Sequence, residues 1–425
     1  MTILIFFILI MLFLLSVPIA FSIGLTTIIA AVFTSVPLIR LPQSMFASLD
    51  SYTLMALPFF ILAGKIMELG GISQKLVQFA NSFLGHIRGG LSIVAIFACM
   101  FFSAISGSGL ATVVAIGGIM IPIMVKMGYD RNFSSSLIAA GGVIGGIIPP
   151  SLPLLVYAVI AGVSVGQLFI AGIIPGILIG LSLIILSYII CLKNGYGDTR
   201  EGTKSFKDIW MSFKDSYLAL IMPFIVLGGI YGGIFTPTEA AVIAVVYGFI
   251  ISAFVYKEIS FHDIRMILHS TVITTSVIGL IIASASFFSL WLTLERVPHS
   301  LAEAFNNVNF SPLVTILIIN LFLLILGTFM DAPSATIITV PILLPLVKAI
   351  GIDPVHFGII MVVNLSIGGL TPPLGVQLFI AAQVGKTKFE SLLKPVLPFI
   401  LILIIDLLLI TFLPQISSGI SSSFI

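Results

Sequence analysis

Apolar runs long enough to cross a lipid bilayer follow one another along almost the whole sequence, and this limits the chain to a membrane fold. A spanning helix needs about 20 mostly apolar residues. Candidate spans or half-spans lie near 3–33, 54–69, 91–126, 133–148, 152–192, 217–255, 271–294, 313–349, 355–370, 374–384 and 390–413. The longer runs must hold more than one crossing, which gives about 10–12 in all, and Pro18 is expected to break the first. Charge agrees with this reading. Charged residues make up 8% of the chain, against roughly 25% in a soluble globule whose surface faces water. The runs are continuously apolar, whereas barrel strands are about 10 residues long and alternate. The backbone must therefore satisfy its hydrogen bonds inside helices, and an all-α polytopic membrane protein is predicted.

Other classes of function are thinned out by what the sequence lacks. A net charge of +2 implies no acidic polymer as partner. Cys99 and Cys191 sit far apart in apolar runs, which gives no disulfide framework. The five histidines have no metal-ligand spacing, and no Gly-Lys-Ser/Thr phosphate loop is present. No nucleophile–base constellation is visible, so an enzyme is not expected, and no cofactor is required. A channel would show a continuous polar pore in place of broken helices. The stretch from Met1 to Phe33 lacks a basic leading region and runs too long for a cleaved signal, so it reads as retained membrane structure.

One clearly hydrophilic stretch, Lys193 to Ser216, divides the chain near its middle. It carries Lys193, Arg200, Lys204, Lys207 and Lys214, and the positive-inside tendency places it in the cytoplasm. The sequences on either side resemble each other. Ile121-Pro-Ile-Met-Val-Lys-Met-Gly-Tyr-Asp130 matches Leu344-Pro-Leu-Val-Lys-Ala-Ile-Gly-Ile-Asp353, and Gly145-Gly-Ile-Ile-Pro-Pro150 matches Gly368-Gly-Leu-Thr-Pro-Pro373. From Pro122/Pro345 through Gly128/Gly351 and Pro149/Pro372 to Pro175/Pro398 the offset stays at 223. Apolar bias does not produce such a register in Pro, Gly and Asp. The chain reads as an internal duplication, with a first repeat over 1–192, a linker over 193–216 and a second repeat over 217–425. Paired repeats with Gly/Pro-interrupted helices at matching positions point to a secondary transporter and its binding site. The two repeats are expected to be inverted relative to each other.

Each repeat carries two interruptions. The first is Ser103-Ala-Ile-Ser-Gly-Ser-Gly109, within a predicted re-entrant hairpin over 91–126, and its counterpart is Gly327-Thr-Phe-Met-Asp-Ala-Pro-Ser334, within 313–349. The second is the Gly-Gly-x-x-Pro-Pro pair, which should break helices over 133–170 and 355–384. Paired prolines remove amide donors and restrict the residue before them, and non-helical backbone survives at membrane depth only against protein or a wet cavity. At a hairpin tip the first arm ends in free carbonyls, which suit a hard cation. The second arm begins with free amides, which suit an anion. Taken alone, a Ser-Gly-Ser reads as close packing or a helix cap. Its recurrence beside the paired prolines in both halves points to a site instead.

Intramembrane charges are costly, roughly 2.5–3.5 kcal/mol each on insertion scales. Asp331, at a tip, is the foremost single candidate. Glu239, just after Pro237, suits the start of a helix and reads as structural. Lys65 and Glu68 are spaced to pair with each other. Asp406 has no partner in its own sequence neighbourhood. Ser73 to Arg88 and Phe261 to His269 are partly amphipathic, as interfacial or connecting helices are.

Ser106-Gly-Ser-Gly-Leu-Ala-Thr112, Gly146-Ile-Ile-Pro-Pro-Ser151, Thr236-Pro-Thr-Glu-Ala-Ala241 and Gly369-Leu-Thr-Pro-Pro-Leu-Gly375 together resemble the large membrane subunit of tripartite ATP-independent periplasmic (TRAP) transporters. The resemblance covers essentially the whole chain. It implies sodium symport of an organic carboxylate of the sialic acid or C4-dicarboxylate class, a bacterial inner-membrane location, and elevator movement of a transport domain in an ion-transporter-like fold. It also implies a small four-helix membrane subunit, here expected as a separate polypeptide, and a periplasmic substrate-binding protein. Carried over residue by residue, a first sodium site would use Ser103, Ser106, Gly107, Gly145 and Ile148. A second would use Gly327, Thr328, Met330, Gly369 and Thr371. Ser108, Ser151 and Asp331 would contact the substrate, with Asp331 acting through a bound cation or as a hydrogen-bond donor. The alternative is a stand-alone sodium/anion symporter that needs no binding protein.

Overall fold

The computed structural model describes residues 2–85, 87–197, 206–297, 300, 303 and 311–421. Among these there is no strand. The first apolar run is broken near Pro18 as expected: α1 (Thr2–Leu14) stops short of it, and Pro18 is the N-cap of α2 (Ile19–Phe33). The chain continues through α3 (Arg40–Leu49), α4 (Ala56–Leu69), α5 (Ile72–Leu84), α6 (Gly90–Ser106), α7 (Gly109–Lys126), α8 (Arg131–Ile144), α9 (Leu152–Ala161) and α10 (Val165–Asn194). The second half holds α11 (Phe206–Tyr231), α12 (Pro237–Ile250), α13 (Phe261–Leu294), α14 (Pro312–Phe329), α15 (Ala332–Ala349), α16 (Pro354–Gly368), α17 (Val376–Val384), α18 (Phe389–Phe412) and α19 (Gln415–Ser421). Of the linker, residues 198–205 lie outside the described residues.

Among the described residues, eight helices are long and apolar enough to span a membrane, or nine if α3 and α4, bent by 64°, form one crossing. This is below the about 10–12 expected from hydropathy. Five apolar helices of 10–17 residues, α1, α2, α6, α9 and α16, fall short of that length and stand outside the count. Phe261 to His269 also departs from expectation. Instead of a separate amphipathic helix it forms the first turns of α13, whose 34 residues run for about 51 Å at 1.5 Å each. Ser260 and Asp263 make a capping box there, so these polar residues start the helix.

The offset reappears in the helix boundaries, as 223 for the first two pairs of helix starts and 224 for the next two. Helices α7, α8, α9 and α10 begin at 109, 131, 152 and 165, and α15, α16, α17 and α18 begin at 332, 354, 376 and 389. The caps match as well. Asp130 accepts from the Phe133 amide at 2.8 Å, and Asp353 from the His356 amide at 2.8 Å. An acidic N-cap satisfies an orphan amide and favours the positive end of the helix. In both halves the second of the paired prolines follows a cis peptide bond.

Packing crosses between the halves. Helix α9 lies against α15, while α17 lies against α7 and α8. Helix α8 is buried along its length from Phe133 to Ile144, and α16 from His356 to Gly368. Buried polar groups are tied together around them. Asn364 donates to Asn320 at 3.0 Å, Asn320 to Thr411 at 3.0 Å, and the His356 ring meets the Thr411 carbonyl at 3.3 Å. Asp406 does find a partner, distant in sequence: Ser182 donates to it at 2.9 Å. Lys65 and Glu68 pair at 2.8 Å, and Glu239 completes a capping box with Thr236.

The two aspartate caps give a direct check. Asp130→Ala and Asp353→Ala should each lower stability by about 1 kcal/mol, seen as a lower thermal midpoint in detergent with helicity retained. The Asp→Asn changes should cost little, and unchanged midpoints in both alanine variants would show that the caps carry no weight.

Candidate functional site

Four interruptions of the helical backbone meet around one cavity of about 340 Å³. They are the turn between α6 and α7, the turn between α14 and α15, and the breaks α8–α9 and α16–α17. The walls include Ser108, Gly146, Asp331, Ser366, Gly369 and Gln377, and α13 closes one side with Thr274 and the apolar side chains Ile273, Val277, Ile278 and Ile281.

The first turn is a single left-handed glycine followed by a cap. Gly107 sits at φ +62°, and a Cβ there would come within 2.2 Å of the Pro150 carbonyl oxygen. Only glycine fits both demands. Ser108 caps α7 by accepting from the Ala111 amide at 3.4 Å, and the Ser106 hydroxyl accepts from the Ser108 amide at 3.4 Å. Ser103 meets Thr112 at 3.4 Å across the turn, fully buried. The turn docks on its own repeat's break: the Leu152 amide donates to the Gly107 carbonyl at 3.1 Å. Gly145 lies so close that a Cβ would stand 2.6 Å from the Gly109 Cα.

The second turn repeats this plan with different residues. Asp331 stands 223 positions after Ser108 and caps α15 by accepting from the Ser334 amide at 3.4 Å. Met330 is extended, and its amide still reaches back to the Leu326 carbonyl at 3.2 Å. The Gly375 amide donates to the Thr328 carbonyl at 3.3 Å, which is the counterpart of the Leu152–Gly107 bond. Gly327 and Gly368 abut, since a Cβ on Gly368 would come within 2.6 Å of the Gly327 Cα.

The structure thus gathers the predicted residues into one region and sorts them by depth. Gly107, Ser108, Met330, Asp331 and Gly369 line the cavity. Ser106 borders a second cavity of about 250 Å³ on the other side of the first turn, together with the Lys65–Glu68 pair. Ser103, Gly145, Ile148, Gly327, Thr328 and Thr371 stand behind the walls. The Thr328 and Thr371 hydroxyls donate to the carbonyls of Ile325 and Ile367, both at 2.8 Å. Ser151 also stands back from the lining. Its hydroxyl donates to the Gly146 carbonyl and accepts from the Leu154 amide at 3.2 Å, so it braces the break and caps α9. Sequence reasoning did not pick out Thr274, Ser334, Ser366 or Gln377. The signal for Gln377 was present as an amide placed four residues after the paired prolines, at the start of a mostly apolar helix.

Helix ends supply the electrostatics. No Lys, Arg or His lines the cavity. The N-termini of α7 and α15 are aimed at it, each carrying roughly half a positive charge. The carbonyl ends of α6 and α14 lie on the opposite side of the same turns. Such a region can take an anion at the amide ends and a hard cation among the carbonyl and hydroxyl oxygens.

Compared with known proteins, residues 6–416 match the family model described as the DctM component of the tripartite ATP-independent periplasmic transporter. The chain belongs to this family. It is 46% identical over 404 residues to the isethionate TRAP transporter permease protein DctMQ of Oleidesulfovibrio alaskensis, covering 94% of this chain and 63% of that protein. It is 40% identical over 398 residues to the C4-dicarboxylate TRAP transporter large permease protein DctM of Pseudomonas aeruginosa, covering 93% of this chain and 92% of that protein. The sialic acid large permease protein SiaM of Vibrio cholerae is 40% identical over 373 residues, covering 88% of this chain and 87% of that protein. Among solved structures, the Alcanivorax borkumensis YdaH transporter, with a reported unusual topology, superposes with a TM-score of 0.64 at 15% identity, over 90% of this chain and 89% of that one. That likeness is one of fold. The chain is therefore a multi-pass membrane protein of the TRAP large permease family.

The contact between Gly145 and the first turn can be tested against a neighbour with free space. Gly145→Ala should cost about 1–3 kcal/mol, because backbone must move to admit the methyl group. Gly118→Ala, in α7 with nothing within 4 Å, should be neutral or stabilising, as an exposed helical Gly→Ala change is. Thermal midpoints of the two variants in detergent that fell together would refute the close-approach account.

Proposed function

We propose that this chain is the membrane-embedded large subunit of a sodium-driven importer of small organic acids in the bacterial inner membrane. The observation that carries this reading is the convergence of two capped helix N-termini, at Ser108 and Asp331, on a cavity with no basic side chain. The relatives named for isethionate, C4-dicarboxylates and sialic acid support an organic anion as the cargo. Its acid group would lie between the two turns, near Ser108 and Asp331, with Ser151 holding the first break behind them. Sodium would bind on the carbonyl sides of the turns. Ser103, Ser106, Gly107, Gly145 and Ile148 would form one site, and Gly327, Thr328, Met330, Gly369 and Thr371 the other. A sodium ion beside Asp331 would offset its charge toward the anion.

In this reading the repeats, 1–192 and 217–425, are inverted, with the 193–216 linker cytoplasmic. The hairpins and broken helices form a transport domain that moves as an elevator against the remaining helices. A small membrane subunit and a periplasmic binding protein complete the system, as the tripartite family name supports. No reaction is catalysed and no cofactor is used.

Proteoliposomes holding this chain with its small membrane partner should take up labelled organic acid only with an inward sodium gradient and an added soluble binding protein. Sodium-driven uptake without the soluble protein would favour the stand-alone symporter. Asp331→Ala should abolish uptake, and near-normal transport by that variant would remove Asp331 from the site.

A further inference from the structure

One residue of the cavity lining, Gln377, carries a buried side-chain oxygen that its surroundings leave without a donor. Gln377 lies on α17, just after the second break, where its backbone N–H closes the break by donating to the Gly369 carbonyl at 2.9 Å. Its side chain crosses to the other repeat. A Cβ on Gly109 would stand 2.8 Å from Nε2, and a Cβ on Gly142 would stand 3.5 Å from Oε1. Glycines at both places leave room for the amide beside the first turn. Gln377 is 8% exposed and lines the cavity, yet Oε1 has no hydrogen-bond partner.

A buried acceptor left without a donor is destabilising, and such groups call for an explanation beyond packing. Gln377 does not brace α7 or α8, because Oε1 bonds to neither. Turned either way about its last torsion, the amide presents one acceptor and one donor side by side. That pair complements a ligand with a donor next to an acid group: the amide N–H meets the acid oxygen, and the amide oxygen accepts from a neighbouring hydroxyl. We infer that Gln377 is a specificity-determining residue that selects organic anions bearing a hydroxyl beside the acid group over their deoxy analogues. This rests on the reading that the cavity receives an organic acid. A site built to hydrogen-bond a ligand hydroxyl discriminates strongly against the analogue lacking it, because its own buried group is then left unpaired.

The test measures equilibrium binding to the purified membrane chain, with its small partner, in nanodiscs at saturating sodium. The soluble binding protein is left out so that selectivity belongs to this cavity. Two matched pairs are compared, malate with succinate and isethionate with ethanesulfonate. Wild type should prefer the hydroxylated member of at least one pair, and Gln377→Met should reduce that preference about tenfold, the value of one hydrogen bond. The ligand-free thermal midpoint of Gln377→Met should be unchanged or raised, since an unpartnered acceptor has been removed. A wild type that binds both members of each pair equally would overturn the inference. So would an unchanged preference in Gln377→Met, or a preference lost together with a large fall in the ligand-free midpoint. If wild type binds none of the four and no sialic acid, the organic-acid reading itself fails, and this inference with it.

Discussion

Amide and carbonyl groups surrounded by hydrocarbon must be paired, and within a membrane the helix is the ordinary way to pair them. This protein interrupts its helices at four places and brings all four together. Two backbone bonds hold the arrangement, from the Leu152 amide to the Gly107 carbonyl and from the Gly375 amide to the Thr328 carbonyl. Each ties the restart of a broken helix to the hairpin turn of the same half. The paired prolines bring the chain to those amides, and Gly107 and Gly145 let the backbones approach. The cavity exists because these bonds consume some of the orphan groups and leave others facing inward.

The electrostatic character of the site follows from the same constraint. A row of lysines or arginines would be expensive at this depth, and none lines the cavity. Positive potential comes instead from the starts of α7 and α15, fixed in direction by the helices themselves and needing no counter-ion. The two caps differ: Ser108 is neutral and Asp331 carries a carboxyl group. The halves therefore share a backbone plan while presenting different chemistry to whatever enters between them.

Much of this was legible in the sequence because proline, glycine and aspartate mark backbone events directly. The offset of 223 was visible in those residues, and the helix starts follow it to within one residue. Both turns were located from their polar clusters. Side-chain direction was harder. Ser151 was expected at the substrate, and its hydroxyl bonds within the break to the Gly146 carbonyl and the Leu154 amide, whereas Gln377 was hidden by its apolar neighbours. Hydropathy also blurred where crossings end, since a short apolar helix such as α9 reads like part of a longer run. Phe261 to His269 misled because a polar first turn on a long helix has the same composition as a short amphipathic helix.

The crossed packing of α9 on α15 and of α17 on α7 and α8 has a consequence for how the chain is made. Surfaces that meet in the finished protein are synthesised far apart: α8 emerges more than 200 residues before α17. Until then α7 and α8 are in the membrane without one of the helices that covers them. The first half cannot reach its final packing by itself, since contacts of such long sequence separation form only after the intervening chain is in place. The last helices to be synthesised therefore complete the interior of the first.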